Sequence, residues 1–123
     1  MTPPGFDAPG LAAILERLSP PDLDALDFAA IRVDTAGVVR ALNRAAACLP
    51  GIHAEGAVGR SFYDEVAPSL AGAEVRGRIE RALARGALDL ELGHTIGFGR
   101  LHGLRGRMQP ASGGGFWLFL APL

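Results

Sequence analysis

The stretch Gly59-Arg60-Ser61-Phe62-Tyr63-Asp64-Glu65-Val66-Ala67-Pro68-Ser69 combines two aromatic residues, two carboxylates and a serine that follows proline. Asp64 and Glu65 are adjacent, so they point to opposite faces of a strand and do not face each other on a helix either. They are therefore poor candidates for an acid/base pair. Ser69 lies in no Gly-x-Ser-x-Gly pattern, and no histidine-aspartate pattern lies near it in the sequence. This stretch gives no sign of a catalytic serine.

The composition around this stretch is that of one globular domain. The chain has 123 residues, of which 49% are hydrophobic and 20% are charged, which is enough for a single buried core. No apolar run is long enough to cross a bilayer, and the start shows no basic region followed by an apolar one, so we expect neither a membrane span nor a signal peptide. A single cysteine excludes an internal disulfide and predicts a cytoplasmic location.

The charge pattern excludes several classes of function. The net charge is −1, and every basic residue is arginine, so no lysine is present to form a Schiff base or a P-loop contact. Arg76, Arg78, Arg81 and Arg85 do cluster, but glutamates interleave with them. We interpret this cluster as a solvated helix face and predict no nucleic-acid partner.

Local patterns predict the order of the secondary-structure elements. Helical spacing and turn residues predict helices over 11–18 and 72–85, a short turn that Asp22 caps, and a short helix that Asn43 opens. Asp34 to Gly37 has the composition of a hairpin turn between strands 28–33 and 38–42. Period-two alternation predicts a strand over 88–98, and strands over 100–109 and 116–120 follow. The order predicts an α+β fold with a five-stranded antiparallel sheet and inserted helices.

The opening stretch also resembles the segment that carries the chromophore-binding cysteine in the photoactive yellow protein family. That family has glycine, two aromatics, an acidic residue, Val-Ala-Pro and then cysteine. The resemblance extends without a gap from about Phe6 to about Phe98 and, with a short deletion, to Leu123. Other positions that match in place are Leu26-Asp27-Phe28-Ala29-Ala30-Ile31, the Asp34–Gly37 turn, Asn43, Gly77, Gly86-Ala87-Leu88 and Phe116-Trp117-Leu118-Phe119.

This resemblance implies a PAS-like domain. The expected organisation is an N-terminal helical cap over residues 1–27 and a PAS-like core over residues 28–123, together one domain. A ligand of such a domain lies between the sheet and the inserted helices. By this resemblance, the candidate ligand-lining residues are Ile31, Leu42, Ala46, Pro50, Ile52, Phe62, Val66, Ala67, Ser69, His94, Ile96 and Phe98.

The residues that define the family's photochemistry are different here. Ser69 replaces the cysteine, and a hydroxyl is a far weaker nucleophile than a thiolate at neutral pH. Leu42 and Ala46 stand where the family has the tyrosine and glutamate that bond the phenolate. Pro50 and Ile52 stand where it has a threonine and a gating arginine. A p-coumaric acid thioester is therefore not expected, and a neutral apolar ligand or a packed core fits these residues better.

The histidines and the cysteine support alternative interpretations. His94 is in phase with Ile96 and Phe98, so it is predicted to point to the covered face, either as a hydrogen-bonded histidine or as a haem ligand. His53 is predicted to be a solvent-exposed loop histidine. Cys48 is interpreted as a small buried hydrophobic residue, or alternatively as a thiol that captures an electrophilic ligand. The spacing of these residues matches no zinc site.

Three functions remain open at this level. The first is a non-enzymatic sensory or signalling module that binds an apolar ligand without a covalent bond or acts through an unidentified protein partner. The second is a haem-binding sensor. The third is a ligand-free dimerisation or scaffold domain, possible as a homodimer. We predict no enzymatic activity, no membrane partner and no metal ligand other than His94 under the haem alternative.

Overall fold

The structure of the protein is a computed structural model, which describes residues 4–49, 53, 55–66, 73–85, 90–98 and 101–122. The helices are α1 (Leu11–Leu15), α2 (Pro20–Asp24), α3 (Arg44–Ala47), a π-helix (Phe62–Val66) and α4 (Ala73–Ala84). The strands are β1 (Ala29–Val33), β2 (Val39–Leu42), β3 (Leu90–Phe98), β4 (Leu101–Pro110) and β5 (Phe116–Pro122). The predicted α+β fold with an antiparallel sheet is confirmed.

One antiparallel sheet organises the molecule, with strand order β2-β1-β5-β4-β3. The last strand therefore lies in the middle, between β1 and β4. Side chains of β5 alternate between the two faces of the sheet, as a strand requires. Leu118 and Leu120 lie in the core cluster on one face, whereas Trp117 and Phe119 lie in a second cluster on the other. The sheet is thus covered by apolar packing on both faces.

The N-terminal segment covers the second face. Leu11 and Leu15 of α1 pack with Phe28, Trp117 and Phe119, and all five side chains are buried. Ser19 is the N-terminal cap of α2, because its hydroxyl accepts a hydrogen bond from the Asp22 backbone N–H at 3.4 Å. The prediction that Asp22 is the cap is therefore wrong, and α1 ends at Leu15 rather than at Leu18.

Polar contacts from the central strands attach this segment to the sheet. The Arg107 guanidinium donates to the carbonyl oxygens of Phe6 and Ala8 at 2.8 and 2.9 Å. The Gln109 side-chain oxygen accepts from the Ala12 N–H at 2.7 Å. These contacts pair side chains of β4 with backbone atoms near the N-terminus. They hold the backbone of the N-terminal segment to the sheet, in addition to the packing of its apolar side chains.

Glu16 makes a second polar attachment on this face. Its Oε1 accepts hydrogen bonds from the Ser112 N–H at 2.9 Å and from Trp117 Nε1 at 3.1 Å, and it lies 3.6 Å from Arg32 NH2. Desolvation alone would raise the pKa of Glu16. The hydrogen bonds from Ser112 and Trp117, with the charge of Arg32, outweigh it and hold the pKa below the ordinary 4.5.

The β1–β2 hairpin has the turn that its sequence predicts. The Asp34 N–H donates to the Val38 oxygen at 2.9 Å, and the Gly37 N–H donates to the Asp34 oxygen at 3.0 Å. Gly37 has φ of 80°, a left-handed conformation that glycine adopts without a steric penalty. The Asp34 carboxylate accepts from the Val38 and Ala36 N–H groups and from Arg40, and these bonds lower its pKa despite partial desolvation.

Candidate functional site

Five of the predicted ligand-lining residues come together in the main core. Ile31, Ala46, Phe62 and Val66 are all 0% exposed and belong to one hydrophobic cluster. Leu42 is half-buried and packs against the same cluster, and its backbone pairs with Ile31. The structure therefore makes this part of the predicted site a continuous apolar wall, while its binding of a ligand stays a prediction.

The remaining predicted site residues are described in part or not at all. Pro50, Ile52, Ala67 and Ser69 lie outside the described residues. For His94, Ile96 and Phe98 the structure describes the backbone of β3, in which residue 96 pairs with Leu104 and residue 98 with Leu101 of β4. The prediction that His94 points to the covered face together with Ile96 and Phe98 concerns side chains outside the described set, so it stays a prediction.

Asn43 is the main polar residue beside this wall, and it is 2% exposed. Its Oδ1 accepts from the backbone N–H groups of Ala30 at 2.9 Å and Ala46 at 3.1 Å. Its Nδ2 donates to the carbonyl oxygens of Leu23 and Phe28, each at 3.0 Å. The sequence predicts that Asn43 opens α3, which is confirmed, but the links to β1 and to α2 depend on the tertiary fold.

Because all four of these bonds go to the backbone, Asn43 offers no free hydrogen-bonding group to a ligand. Ala46 and Leu42 offer none from their side chains. The described wall therefore does not fit an ionised pigment, which would need polar partners when it is buried. A p-coumaryl phenolate would therefore find no hydrogen-bond partner in the side chains of Leu42, Asn43 or Ala46.

Cys48 does not lie in the core. It is exposed at the C-terminal end of α3, so its interpretation as a small buried hydrophobic residue is wrong. The helix has a single turn whose buried residue is Ala46, and a residue two positions further points to another side. His53 is exposed, as predicted, while its backbone N–H donates to the Val66 oxygen at 2.8 Å.

The π-helix separates this core from a surface cleft. Phe62, Tyr63 and Val66 are buried in the core cluster. Tyr63 also lines a cleft of about 550 Å³, to which Ser61 and Asp64 contribute. A volume of this size is within the range of small-molecule sites. The other walls of the cleft are the β1–β2 turn, Glu80 of α4 and the β4–β5 turn. Sequence reasoning missed this cleft because its walls come from four separate parts of the chain.

Metal-binding clusters and membrane-spanning helices are both absent from the described part of the chain. In that part, no three His, Cys, Asp or Glu side chains come together in a way that could hold a metal ion. None of its helices is both long enough and apolar enough to span a membrane.

Comparison with known proteins defines the class of this fold. The profile of the PAS fold family matches residues 23–105, and the chain belongs to this family. A solved PAS domain of a protein from Colwellia psychrerythraea, 16% identical, covers 90% of this chain and 97% of its own length with a TM-score of 0.63, which supports the fold alone.

Within the family, the chain is a homologue of photoactive yellow protein that has Ser69 in place of the chromophore-binding cysteine. The photoactive yellow protein of Halochromatium salexigens is 31% identical over 83 residues, which are 68% of this chain and 66% of that protein. The one from Rhodothalassium salexigens is 26% identical over 108 residues, 80% of each chain. The photoactive yellow protein domain of the sensor histidine kinase Ppr from Rhodospirillum centenum is 29% identical, with a TM-score of 0.76 over 89% of this chain and 98% of that domain.

Proposed function

We propose that this chain is a non-enzymatic sensory or signalling PAS module that does not carry a covalent pigment. It binds a neutral apolar ligand without a covalent bond, or it acts through a protein partner. The observation that carries the proposal is the fully buried apolar wall formed by Ile31, Ala46, Phe62 and Val66. Two of the residues that bond the phenolate in the resembling family are replaced at this wall, by Leu42 and Ala46.

The polarity of the wall sets the class of ligand. Moving a hydroxyl or amide from water into an apolar site without a hydrogen bond costs about 2–7 kcal/mol, and an isolated charge costs far more. A neutral hydrocarbon-like ligand loses nothing of this kind and gains from the burial of its own surface. We therefore place charged cinnamates among the disfavoured ligands and uncharged aromatic or aliphatic molecules among the favoured ones.

A role in signalling through another protein has a separate basis. The similar domain from Rhodospirillum centenum is part of a sensor histidine kinase. By analogy, we propose that a change in this chain is passed to a protein partner. The partner is unidentified, and a homodimer is one form that it can take. We further propose a cytoplasmic location, for which the single cysteine is the supporting observation.

A second candidate is a ligand-free dimerisation or scaffold domain. It is favoured by the same wall residues, because four of them have no exposed surface and pack within one cluster. A core that is already filled needs no ligand to complete it.

An absorption spectrum and native mass spectrometry of the purified protein separate these functions. A sensor that binds an apolar ligand gives no visible band and an additional mass that is lost on denaturation, whereas a sensor that acts only through a partner gives no additional mass until that partner is added. A scaffold domain gives neither a band nor an additional mass. A Soret band would replace both candidates with the haem sensor, and His94→Ala would then test the predicted haem ligand.

A further inference from the structure

The π-helix shares one backbone oxygen between two hydrogen-bond patterns. The Glu65 N–H donates to the Ser61 oxygen at 3.0 Å, which is the spacing of an α-helix. The Val66 N–H donates to the same oxygen at 3.1 Å, which is the spacing of a π-helix. The turn therefore already contains a bond of each register.

Apolar burial does not choose between the two registers. Phe62 and Val66 are both 0% exposed, and they are four residues apart. Four residues slightly exceed one turn of an α-helix and fall slightly short of one turn of the wider π-helix. Either register therefore keeps Val66 on the side of Phe62, and Asp64 and Glu65 on the exposed side.

Several contacts outside this shared oxygen hold the present register. The Ser61 hydroxyl donates to the Asp64 carboxylate at 3.2 Å and accepts from the Asp64 N–H at 3.4 Å. The Glu65 carboxylate accepts from the Ser61 N–H at 3.0 Å, and the Val66 carbonyl oxygen accepts from the His53 N–H at 2.8 Å. Both depend on where Glu65 and Val66 lie relative to the start of the turn, so a change of register has to break or rebuild them. Substitution of Glu65 removes its charged contact with the Ser61 N–H and leaves the bonds between Ser61 and Asp64 in place.

We propose that the segment Ser61–Val66 is a two-register switch, in which a π-to-α change couples the core to the surface cleft. This inference rests on the proposed sensory function and assigns it a moving part. An α-helix turns the chain by about 100° per residue and the wider π-helix turns it by less, so a change of register rotates Tyr63 and Asp64 about the helix axis while Val66 stays on the side of Phe62. Such a rotation repositions Tyr63 and Asp64 in the cleft wall.

Nitrogen-15 relaxation dispersion on the full, ligand-free chain tests the switch. We expect millisecond exchange with one shared rate at the amides of residues 61–66 and not at those of α3. Glu65→Ala removes the charged contact and increases the minor population about tenfold. Glu65→Gln, which keeps a weaker acceptor, gives a smaller increase. The matched control is Glu55→Ala, which changes an exposed glutamate ten residues earlier in the chain and leaves the exchange unchanged.

Flat dispersion profiles at residues 61–66 in the wild type and in both Glu65 variants would overturn the proposal. So would exchange that extends to the central strands at the same rate, because this indicates unfolding rather than a change of register. The experiment contains no ligand, so its failure leaves the proposed function in place. Failure to find a ligand by mass spectrometry likewise leaves the switch in place.

Discussion

Replacement of Asn43 by alanine is expected to be one of the most destabilising single changes in this chain. The side chain is 2% exposed and bonds four backbone groups, of Leu23, Phe28, Ala30 and Ala46. Alanine removes all four bonds and leaves two N–H groups and the Phe28 oxygen buried without these partners. The part-buried Leu23 oxygen loses the same partner but keeps a bond from the Leu26 N–H. One of the four bonds, that from the Ala46 N–H, is the cap of α3, which alone contributes about 1 kcal/mol.

The expected size of this effect follows from the cost of unpaired groups. A buried polar group that loses its partner costs about 1–3 kcal/mol. Because neighbouring groups relax together and water reaches some of them, the four costs do not add fully. We expect the free energy of unfolding to fall by about 3–5 kcal/mol. This is a large part of the total free energy of unfolding of a typical domain, which is about 5–15 kcal/mol.

Urea unfolding followed by tryptophan fluorescence measures this loss. Trp117 is the single tryptophan of the chain and is buried, so its emission reports the loss of the fold. Arg44→Ala is the matched control, because it changes an exposed neighbour in the same helical turn and is expected to shift stability by less than about 0.5 kcal/mol. If Asn43→Ala cost less than about 1 kcal/mol with an unchanged m-value, the reasoning from buried hydrogen bonds would be refuted.

Three other changes test separate parts of the account. Ser69→Cys permits attachment of activated p-coumaric acid but leaves the pigment neutral at pH 7; a strongly red-shifted, ionised pigment in its absorption spectrum would contradict this. Gly115→Ala places a Cβ against the Val33 carbonyl oxygen at a residue whose φ is 79°. It is expected to lower the midpoint of urea unfolding by more than Gly113→Ala, because Gly113 has nearly the same φ, 78°, but open space around it. Equal losses in the two variants would contradict the steric argument. Glu16→Gln destabilises at pH 7, and the difference from wild type shrinks as the pH falls below 4.5 through the lowered folded pKa; urea midpoints that keep a constant difference would contradict it.

Features that depend on a few neighbouring residues could be predicted from the sequence. The Asp34–Gly37 turn follows from its turn-forming residues, and the start of α3 follows from the capping preference of Asn43. The exposure of Cys48 was predicted wrongly. The prediction rests on the general preference of free cysteine for burial, but a helix of a single turn buries only one side of itself, and Cys48 lies on another side.

Features that join distant parts of the chain could not be predicted in this way. The bond from Gln109 to the Ala12 N–H joins residues 97 positions apart, and the bonds from Arg107 join residues about a hundred positions apart. A polar residue in a strand pattern indicates a solvent-facing side, and nothing local shows that another segment covers it. For the candidate site, the apolar character of Leu42 and Ala46 is evident from the sequence. The Ser61 carbonyl oxygen that accepts from both the Glu65 and the Val66 N–H groups is evident only from the backbone geometry.

Incubation of the purified protein with activated p-coumaric acid tests the central claim most directly. Mass spectrometry before and after the reaction, followed by illumination with visible light, gives both readouts on the same sample. We expect no covalent mass increment on Ser69 and no photocycle, because a serine hydroxyl is a poor nucleophile and the described wall offers a buried phenolate no polar partner. A covalent increment on Ser69 together with a reversible photocycle in visible light would contradict the account.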